Sequence, residues 1–343
     1  MKALYVHGKH DLRLTEIEAE APAAGEVQVT LARGGICGSD LHYFNHGGIN
    51  AIRIREPMIL GHEVSGIVSA IGEGVTNLKE GDLVAVSPSR PCGSCVECHR
   101  GLPNQCLNMR FYGSAMPFPH IQGAFRETLT AMASQCVKAD GISAAEAAMA
   151  EPLAVALHGA RRAGELLGRR VLVTGCGPIG LLCILAARRA GAGEIIATDV
   201  SDGVIPFAKA AGADVVINTL KDPEGLAPYT AGKGTIDVMF EASGVEPALR
   251  GGMATLRPRG RIVQLGLSND MSLPMVMITA KELELVGSFR FHEEFAVAVR
   301  MMQQGLIDVK PLVTHSFALA DYEAAFAVAS DRSQAMKVQL EFA

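Results

Sequence analysis

The stretch VLVTGCGPIG, Val171 to Gly180, decides the fold of the second half of the chain. Its uncharged residues are typical of a buried strand, and glycines spaced Gly-x-Gly-x-x-Gly follow before a helical pattern. In such a turn the first glycine permits the sharp bend, the second lets backbone amides approach a pyrophosphate, and the third allows the helix to pack on the strand. The pattern predicts a dinucleotide-binding loop that contains Gly175, Gly177, Pro178, Ile179 and Gly180.

An acidic residue, Asp199, closes the next apolar stretch, nineteen residues after Gly180. A carboxylate at this position accepts hydrogen bonds from the ribose hydroxyls and repels a 2′-phosphate. We therefore expect NAD to be the preferred cofactor, with NADP as the second choice. The competing interpretation is a glycine turn that binds no ligand.

Beyond this loop, apolar strands continue to alternate with helical patterns. Helices are expected from about Pro178, Asp202 and Glu246. Such a βαβα alternation predicts an α/β fold of the Rossmann type, a doubly wound parallel sheet with helices on both faces. The expected strands are VLVTG, EIIATD, DVVIN, IDVMFEASG, RIVQLG and LELVGS (283–288).

The first part of the chain has a different sequence pattern, with short β segments between glycine-rich turns. It predicts a barrel-like antiparallel domain. After the last Rossmann strand, helical patterns at 293–305 and 321–330 and the strand KVQLEF break the βα rhythm, so we expect the chain to return to the first domain. The clearest early strands are EVQVTLA (26–32), VSGIVSAIG (64–72) and DLVAVSP (82–88), and the expected domains are 1–152, 153–287 and 288–343.

Composition narrows the classes of partner. The chain has 343 residues and a net charge of −5, which gives no electrostatic reason to expect a nucleic acid. The uncharged run 171–187 is shorter than a membrane span and is broken by glycines, and the N-terminus lacks an apolar signal segment. We therefore expect a soluble, cytoplasmic protein that does not bind membranes.

Four of the eight cysteines crowd into one short lobe, at about 90–107. Structural zinc takes four thiolates in a tetrahedral, closed site, and the lobe contains little apolar material that could hold it together otherwise. The spacing predicts a structural zinc site, with an iron–sulfur cluster as the alternative. The ligands would be Cys92, Cys95, Cys98 and Cys106.

A second group of candidate ligands is spread along the chain. Cys37 lies in GGICGSDLHYF, His62 and Glu63 lie in PMILGHEVSG, and Glu151 lies in AEPLAVALH. Cysteine, histidine and glutamate form a mixed set that suits zinc with an open coordination position. The alternatives are an inert buried thiol, a hydrogen-bonded core histidine and a surface carboxylate.

Taken together, GGICGSDLH, GHE, the four-cysteine lobe, AEPLAVALH, GCGPIG with Asp199, and GSFRF resemble the zinc-dependent medium-chain alcohol dehydrogenases, in the polyol (sorbitol) dehydrogenase branch. The resemblance covers essentially the whole chain. It implies a GroES-like catalytic domain, two zinc ions per chain and assembly as a homodimer or homotetramer. It also implies that Cys37, His62 and Glu63 bind a catalytic zinc, with Glu151 in the fourth position directly or through water.

The resemblance also implies the reaction and further roles. A secondary alcohol of a sugar acid or polyol would be oxidised to a ketone, with Ser39 and His42 passing the proton outward and Asp40 orienting the site. A substrate carboxylate needs an arginine, and Arg110 and Arg290 are candidates. The implied substrate contacts are Tyr43, Glu151, Arg290 and Phe291, and the further cofactor contacts are Leu265, Gly266, Leu267, Phe289 and Arg290.

Three rival functions remain at this point. One is another dehydrogenase on the same scaffold, acting on sorbitol, xylitol, threonine or galactitol. A zinc-free quinone reductase would leave Cys37, His62 and the cysteine lobe unexplained. The third is a non-catalytic NAD-binding sensor.

Cys136, Cys176, Cys183 and His158 are interpreted as structural residues.

Overall fold

The computed structural model of the chain describes residues 1–267 and 269–342. The chain divides into two compact units. The first comprises Met1–Glu151, Phe295–Asp331 and Lys337–Ala343, and the second comprises Pro152–Glu294 and Arg332–Met336. No helix in the described residues is both long enough and apolar enough to cross a membrane.

The strands, in chain order, are β1 (Lys2–Gly8), β2 (Asp11–Glu16), β3 (Glu26–Gly35), β4 (Gly48–Ile49), β5 (Ile52–Arg53), β6 (Met58–Ile59), β7 (Glu63–Ile71), β8 (Leu83–Val86), β9 (Ser89–Arg90), β10 (Arg110–Phe111), β11 (Thr128–Met132), β12 (Cys136–Lys138), β13 (Arg170–Thr174), β14 (Glu194–Asp199), β15 (Val215–Asn218), β16 (Ile236–Glu241), β17 (Leu256–Gln264), β18 (Glu284–Gly287), β19 (Val313–Ala318) and β20 (Lys337–Glu341).

The α-helices are α1 (Gly38–His46), α2 (Val96–His99), α3 (Ala144–Ala148), α4 (Ala150–Ala163), α5 (Pro178–Arg189), α6 (Ile205–Ala210), α7 (Glu246–Thr255), α8 (Met275–Lys281), α9 (Glu294–Gln303) and α10 (Tyr322–Ser330). Short 3-10 helices cover Pro103–Gln105, Ala133–Gln135, Asp202–Val204, Ala227–Thr230, Lys310–Leu312 and Leu319–Asp321.

The first unit is built on a sheet in the order β12-β8-β7-β3-β20-β19, with β11 also paired to β3. Its pairs are antiparallel except β19 with β20. Alternate residues of β3 point into the core, where Val27, Val29 and Leu31 are fully buried. The predicted antiparallel, β-rich first domain is confirmed, and its last two strands come from the C-terminal part of the chain.

The turn before β7 depends on one glycine. Gly61 has a φ of +90°, a left-handed conformation that favours glycine. A Cβ added there would lie 2.1 Å from the ring of the fully buried Phe125. The phenylalanine therefore packs directly on the backbone that presents His62 and Glu63.

The second unit contains a six-stranded sheet in the order β15-β14-β13-β16-β17-β18, in which every pair is parallel. The predicted doubly wound parallel sheet is confirmed. The strand order reverses at β13, where ligands of such folds bind outside the carboxyl ends of the strands. One face of the sheet packs in a cluster of buried side chains that includes Leu172, Ile196, Ile217, Met239, Leu249, Met253 and Ile262.

The structure differs in detail from the sequence-based elements. The helix expected from Asp202 begins as a 3-10 turn, Asp202–Val204, because Pro206 occupies the first turn of α6 and lacks an N–H. The sequence-based boundary at 288 precedes the return of the chain to the first unit at Phe295. The segment Arg332–Met336 belongs to the second unit, which sequence patterning did not indicate.

Candidate active site

Two separate segments bring Cys37 and the adjacent residues His62 and Glu63 together. Cys37 precedes helix α1, His62 follows the glycine turn, and Glu63 begins β7 beside β3. One ligand atom from each of the three side chains lies within 4.8 Å of the others. The structure therefore gathers three of the four residues singled out from sequence as catalytic-metal ligands.

Asp40 ties two of these segments to each other. It is fully buried, and its carboxylate accepts hydrogen bonds from the backbone N–H of Cys37 (2.9 Å) and of Gly61 (3.2 Å). Desolvation raises the pKa of this carboxyl group, in spite of those hydrogen bonds. Asp40 also lies 3.8 Å from Nδ1 of His62, so it orients the cysteine and histidine segments together.

Lys337 completes the first unit's polar cluster and was missed in the sequence analysis. Its Nζ donates to both carboxylate oxygens of Glu63, at 2.8 and 2.7 Å, and both side chains are almost fully buried. Burial opposes the lysine's charge, but the negative charge of Glu63 outweighs it and raises the pKa of Lys337. The only signal in the sequence was a lysine at the start of the strand KVQLEF.

Glu151, the second residue of α4, lies outside the three-residue cluster, but the charges of the cluster affect its pKa. It is 6% exposed. Burial, reinforced by Glu63, raises its pKa to about 8 against the opposing effect of His62. Burial likewise raises the pKa of the Cys37 thiol to about 12, so both groups are largely protonated near neutral pH without a cation.

The residues present suit a zinc ion. A thiol, an imidazole and a carboxylate are typical zinc ligands, and three protein ligands leave an open position, as catalytic zinc requires. In addition, Nδ1 of His62 is buried without a hydrogen-bond partner among the described residues. The protonated state of Cys37 means that metal binding would have to displace its proton.

The remaining predicted polar residues of this unit lie on or near α1. Ser39 is half-buried and acts to lower the pKa of the Cys37 thiol, whereas His42 is exposed. Tyr43 is 3% exposed, and its hydroxyl accepts a hydrogen bond from the Ala115 N–H at 3.1 Å. Arg110 is an exposed residue of β10.

The four lobe cysteines also come together, with their sulfur atoms within 4.8 Å of one another. Hydrogen bonds, chiefly from Ser94, lower the pKa of Cys92 to about 5, while desolvation raises that of Cys98 to about 12. Four thiolates this close repel one another, so complete ionisation needs a cation between them. The other lobe ligands are Cys95 and Cys106.

In the second unit, the glycine-rich loop leads from β13 into α5. Gly175 has a φ of +86°, and a Cβ added to Gly180 would lie 1.8 Å from the Gly175 carbonyl oxygen. A Cβ on Gly177 would meet nothing within 4 Å. Gly175 and Gly180 are therefore required by packing, whereas Gly177 borders open space at the N-terminus of α5, beside Pro178 and Ile179.

Asp199 binds the same loop. Its Oδ2 accepts from the Cys176 N–H at 2.7 Å, and Oδ1 accepts from the N–H groups of Val200 and Ser201 at 2.7 and 3.0 Å. A carboxylate can accept about four hydrogen bonds, so capacity remains for a ribose hydroxyl. Asp199 thus holds the loop in shape at the carboxyl end of β14.

Glu241, at the carboxyl end of β16, is a second buried acid that sequence reasoning did not single out. It is fully buried and accepts from the N–H groups of Ser243 (2.9 Å) and Gly244 (3.1 Å) and from the Gln264 side chain (2.6 Å). Gly175 must lack a side chain because an added Cβ would lie 2.8 Å from the Ser243 nitrogen. The signal was a charge within the apolar strand IDVMFEASG.

The other predicted cofactor residues lie in two segments of this unit. Leu265, Gly266 and Leu267 follow β17, and Leu267 is 64% exposed. After β18, the side chain of Arg290 stacks on the Phe289 ring with its guanidinium carbon 4.8 Å from the centroid, while Phe291 is 1% exposed.

Two family descriptions match the chain: Alcohol dehydrogenase GroES-like domain over residues 23–141, and Zinc-binding dehydrogenase over residues 178–304. L-idonate 5-dehydrogenase (NAD(P)(+)) of Escherichia coli (strain K12) is 43% identical over 342 residues, covering 98% of this chain and 97% of that protein. Sorbitol dehydrogenase of Bos taurus is 36% identical, covering 99% of this chain and 95% of that protein. The crystal structure of L-idonate 5-dehydrogenase from Escherichia coli superposes with a TM-score of 0.95 at 42% identity, covering 99% of this chain and 97% of that one.

Proposed function

On the premise that this chain belongs to the zinc-binding alcohol dehydrogenase family, as the resemblance predicted, we propose that it oxidises L-idonate reversibly to 5-ketogluconate. The observation that carries the proposal is the 43% identity to an L-idonate 5-dehydrogenase over nearly the full length of both proteins. The reaction removes a hydride from the carbon that bears the hydroxyl group and a proton from its oxygen, and NAD+ is reduced to NADH.

The proposed catalytic zinc would be held by Cys37, His62 and Glu63, with Glu151 in the fourth position directly or through water. Their proximity supports this assignment, as does the Nδ1 of His62, which has no hydrogen-bond partner in the part of the chain that the structure describes. Zinc supplies Lewis acidity, which lowers the pKa of a hydroxyl group beside it by several units. A second, structural zinc would be held by Cys92, Cys95, Cys98 and Cys106.

The chain's own residues would handle the proton. Ser39 contacts the Cys37 thiol and His42 is exposed on the same helix, so the pair could pass a proton from the substrate hydroxyl to solvent. Asp40 would hold Cys37 and His62 in a fixed position relative to each other. Tyr43, whose hydroxyl is bonded to Ala115, would contribute to the wall of the substrate site.

An aldonate substrate also carries a carboxylate. Arginine offers a planar fork that matches it, and Arg110 and Arg290 are the proposed candidates. Phe291, a further proposed substrate contact, follows Arg290 in the chain and is almost fully buried. Substitution of each arginine by alanine and comparison of KM for L-idonate would decide between them.

We propose NAD as the preferred cofactor, with NADP also accepted. The negative charge of Asp199 at the end of β14 supports the preference. The cofactor would contact the glycine-rich loop, Leu265–Leu267, Phe289 and Arg290. A clear NADP preference in kcat/KM would refute the role given to Asp199.

The proposed catalytic and cofactor domains follow those expected from sequence, 1–152 with 288–343, and 153–287, except that residues 288–294 and Arg332–Met336 belong with the cofactor domain in the second compact unit. Within the described residues, β18 pairs with β17 alone, and Leu285, Met275 and Val276 are 45%, 61% and 83% exposed. An open strand edge beside apolar side chains favours pairing with a second copy of the chain, so we propose a homodimer or homotetramer. We also propose that the protein lies in the cytoplasm. Sedimentation of wild type and Leu285→Lys would test it.

The experiment that tests the function is NADH formation with L-idonate, compared with sorbitol, xylitol, threonine and galactitol, with bound zinc counted per chain. Glu63→Ala is expected to retain NADH binding and to lose the catalytic zinc and turnover. Preference for a neutral polyol would instead favour the sorbitol dehydrogenase alternative, which the 36% identical bovine relative supports. No turnover with any of them would favour a non-catalytic NAD-binding sensor.

A further inference from the structure

We propose that Glu294 is a positioning residue that holds the segment 287–294 on helix α4, so that Phe289 and Arg290 keep one fixed arrangement. The inference rests on the proposed function, in which these two residues meet cofactor and substrate. All the residues involved belong to the second compact unit.

The first end of the segment is attached through Arg162. Its Nε donates to the carbonyl oxygen of Gly287 at 3.1 Å. The neighbouring turn of α4 is itself held by Arg261 of β17, whose Nη1 donates to the Ala163 carbonyl oxygen at 3.2 Å and whose Nε donates to Glu284 at 2.8 Å. The segment therefore leaves β18 already bonded to α4.

The second end is attached through Glu294, whose side chain is 4% exposed. Its Oε1 accepts from Nδ1 of His158 at 3.2 Å and from Nη1 of Arg161 at 3.0 Å, both on α4. Its Oε2 accepts from the backbone N–H of His292 at 2.9 Å. One buried carboxylate thus joins α4, the segment and the start of α9.

Between these attachments the backbone is strained at Arg290. Arg290 has a φ of +55°, a left-handed value that a non-glycine residue adopts only when its surroundings impose it. In that conformation Arg290 stacks on Phe289, and the next residue, Phe291, is buried. Because relaxation would relieve the strain, the attachment at Glu294 is needed to keep Arg290 in place.

An acidic residue in the first turn of a helix is ordinary, since it interacts favourably with the helix dipole. Glu294 differs because two side chains of a neighbouring helix converge on it and it receives the N–H of His292 from the segment itself. Glu293 offers a matched comparison. It is also bonded to Arg161, but its side chain is 70% exposed.

The test is a double-mutant cycle of Glu294→Gln and Arg290→Ala, with Glu293→Gln as the control. Glu294→Gln is expected to raise KM for L-idonate about tenfold with kcat changed by less than about threefold. In the Arg290→Ala background the same change is expected to have less than about a twofold effect, because residues that act through one another are not additive. The control should stay within about twofold of wild type.

Two further measurements keep the outcome decisive. The NADH dissociation constant is measured by fluorescence for every variant of the same cycle. This measurement does not need turnover, so a wrong substrate can be distinguished from a failure of this inference. His158→Leu removes one donor and leaves the carboxylate, in case Glu294→Gln does not fold. Equal, additive effects in both backgrounds, or loss of thermal stability with KM and NADH binding unchanged, would overturn the positioning role.

Discussion

Lys337, near the C-terminus, binds both carboxylate oxygens of Glu63, at 2.8 and 2.7 Å, in a buried ion pair. Lys337 also lies 3.3 Å from the carbonyl oxygen of Ile36, the residue before Cys37. Without a metal ion, this lysine is the counter-charge of Glu63. The first predictions concern what happens when either partner changes.

Substitution Lys337→Met is expected to destabilise the zinc-free protein by about 3–5 kcal/mol, since it leaves a buried carboxylate without a partner. Zinc loading should recover part of this loss by supplying positive charge to Glu63. The measurement is unfolding in denaturant with and without zinc. Lys221→Met is the control, because Lys221 and its partner Asp202 are 71% and 49% exposed, and its loss should cost about 0–1 kcal/mol. Equal losses in both variants would contradict the prediction.

Zinc affinity of the catalytic cluster should rise with pH. Burial raises the pKa of Cys37 to about 12 and that of Glu151 to about 8, so zinc must displace the thiol proton and, if Glu151 binds directly, a second proton. Between pH 6 and 7 the affinity should then increase about tenfold per unit for each proton released. Chelator competition on wild type and Glu151→Gln would measure it. An unchanged slope in the variant indicates that Glu151 binds through water.

Substitution by alanine at Gly177 and at Gly180 should have different effects, on NADH binding at the first and on stability at the second. Gly180→Ala would place a Cβ 1.8 Å from the Gly175 carbonyl oxygen and is expected to cost about 3 kcal/mol or more of stability. Gly177→Ala meets no atom within 4 Å, so the cofactor-free protein should keep its melting temperature, while NADH binding weakens about tenfold through contact with the pyrophosphate. Thermal melts and NADH titration separate the two. Normal NADH binding by Gly177→Ala would place the pyrophosphate elsewhere.

Stability in acid should depend on Glu294. Burial acts to raise its pKa, but hydrogen bonds from His158 and the His292 N–H outweigh it and hold the pKa at about 2, below the ordinary 4.5. A carboxyl group with a lowered folded-state pKa contributes stability above its unfolded pKa and loses it as the pH falls toward the folded value. The difference in unfolding free energy between wild type and Glu294→Gln should therefore shrink from pH 5 to about pH 2.

Denaturant unfolding at several pH values in that range would measure this difference. Glu293→Gln is the control, because Glu293 also pairs with Arg161 but its side chain is 70% exposed, so its loss should change the unfolding free energy little. A constant difference between wild type and Glu294→Gln across the range would contradict the prediction.

Several parts of the fold and site were predictable from sequence because their constraints are local. The spacing of Gly175, Gly177 and Gly180 encodes a single turn between a strand and a helix, and the four lobe cysteines lie within one short loop. The alternation of strands and helices after Val171 predicted a parallel sheet that the structure contains. Such patterns can be read because few residues separate the interacting groups.

The electrostatic partners were not predictable in this way. Lys337 and Glu241 each lie at one end of a strand that carries a second charge, and nothing local indicates which residue will meet them. Glu63 and Lys337 become neighbours only because β20 returns to pair with β3, which also pairs with β7. His158 was interpreted as a packed residue, and its contact with Glu294 likewise depends on distant segments meeting.

The sequence by itself determined the types of ligand, the nucleotide-binding turn and the two architectures, since side-chain chemistry and short-range backbone geometry are properties of the local chain. Only the tertiary structure decided which charges neutralise each other, which carboxyl groups hold their protons and which backbone is kept under strain. Those properties depend on burial and on distances between remote segments, and a Coulomb interaction acts according to separation in space, not in sequence.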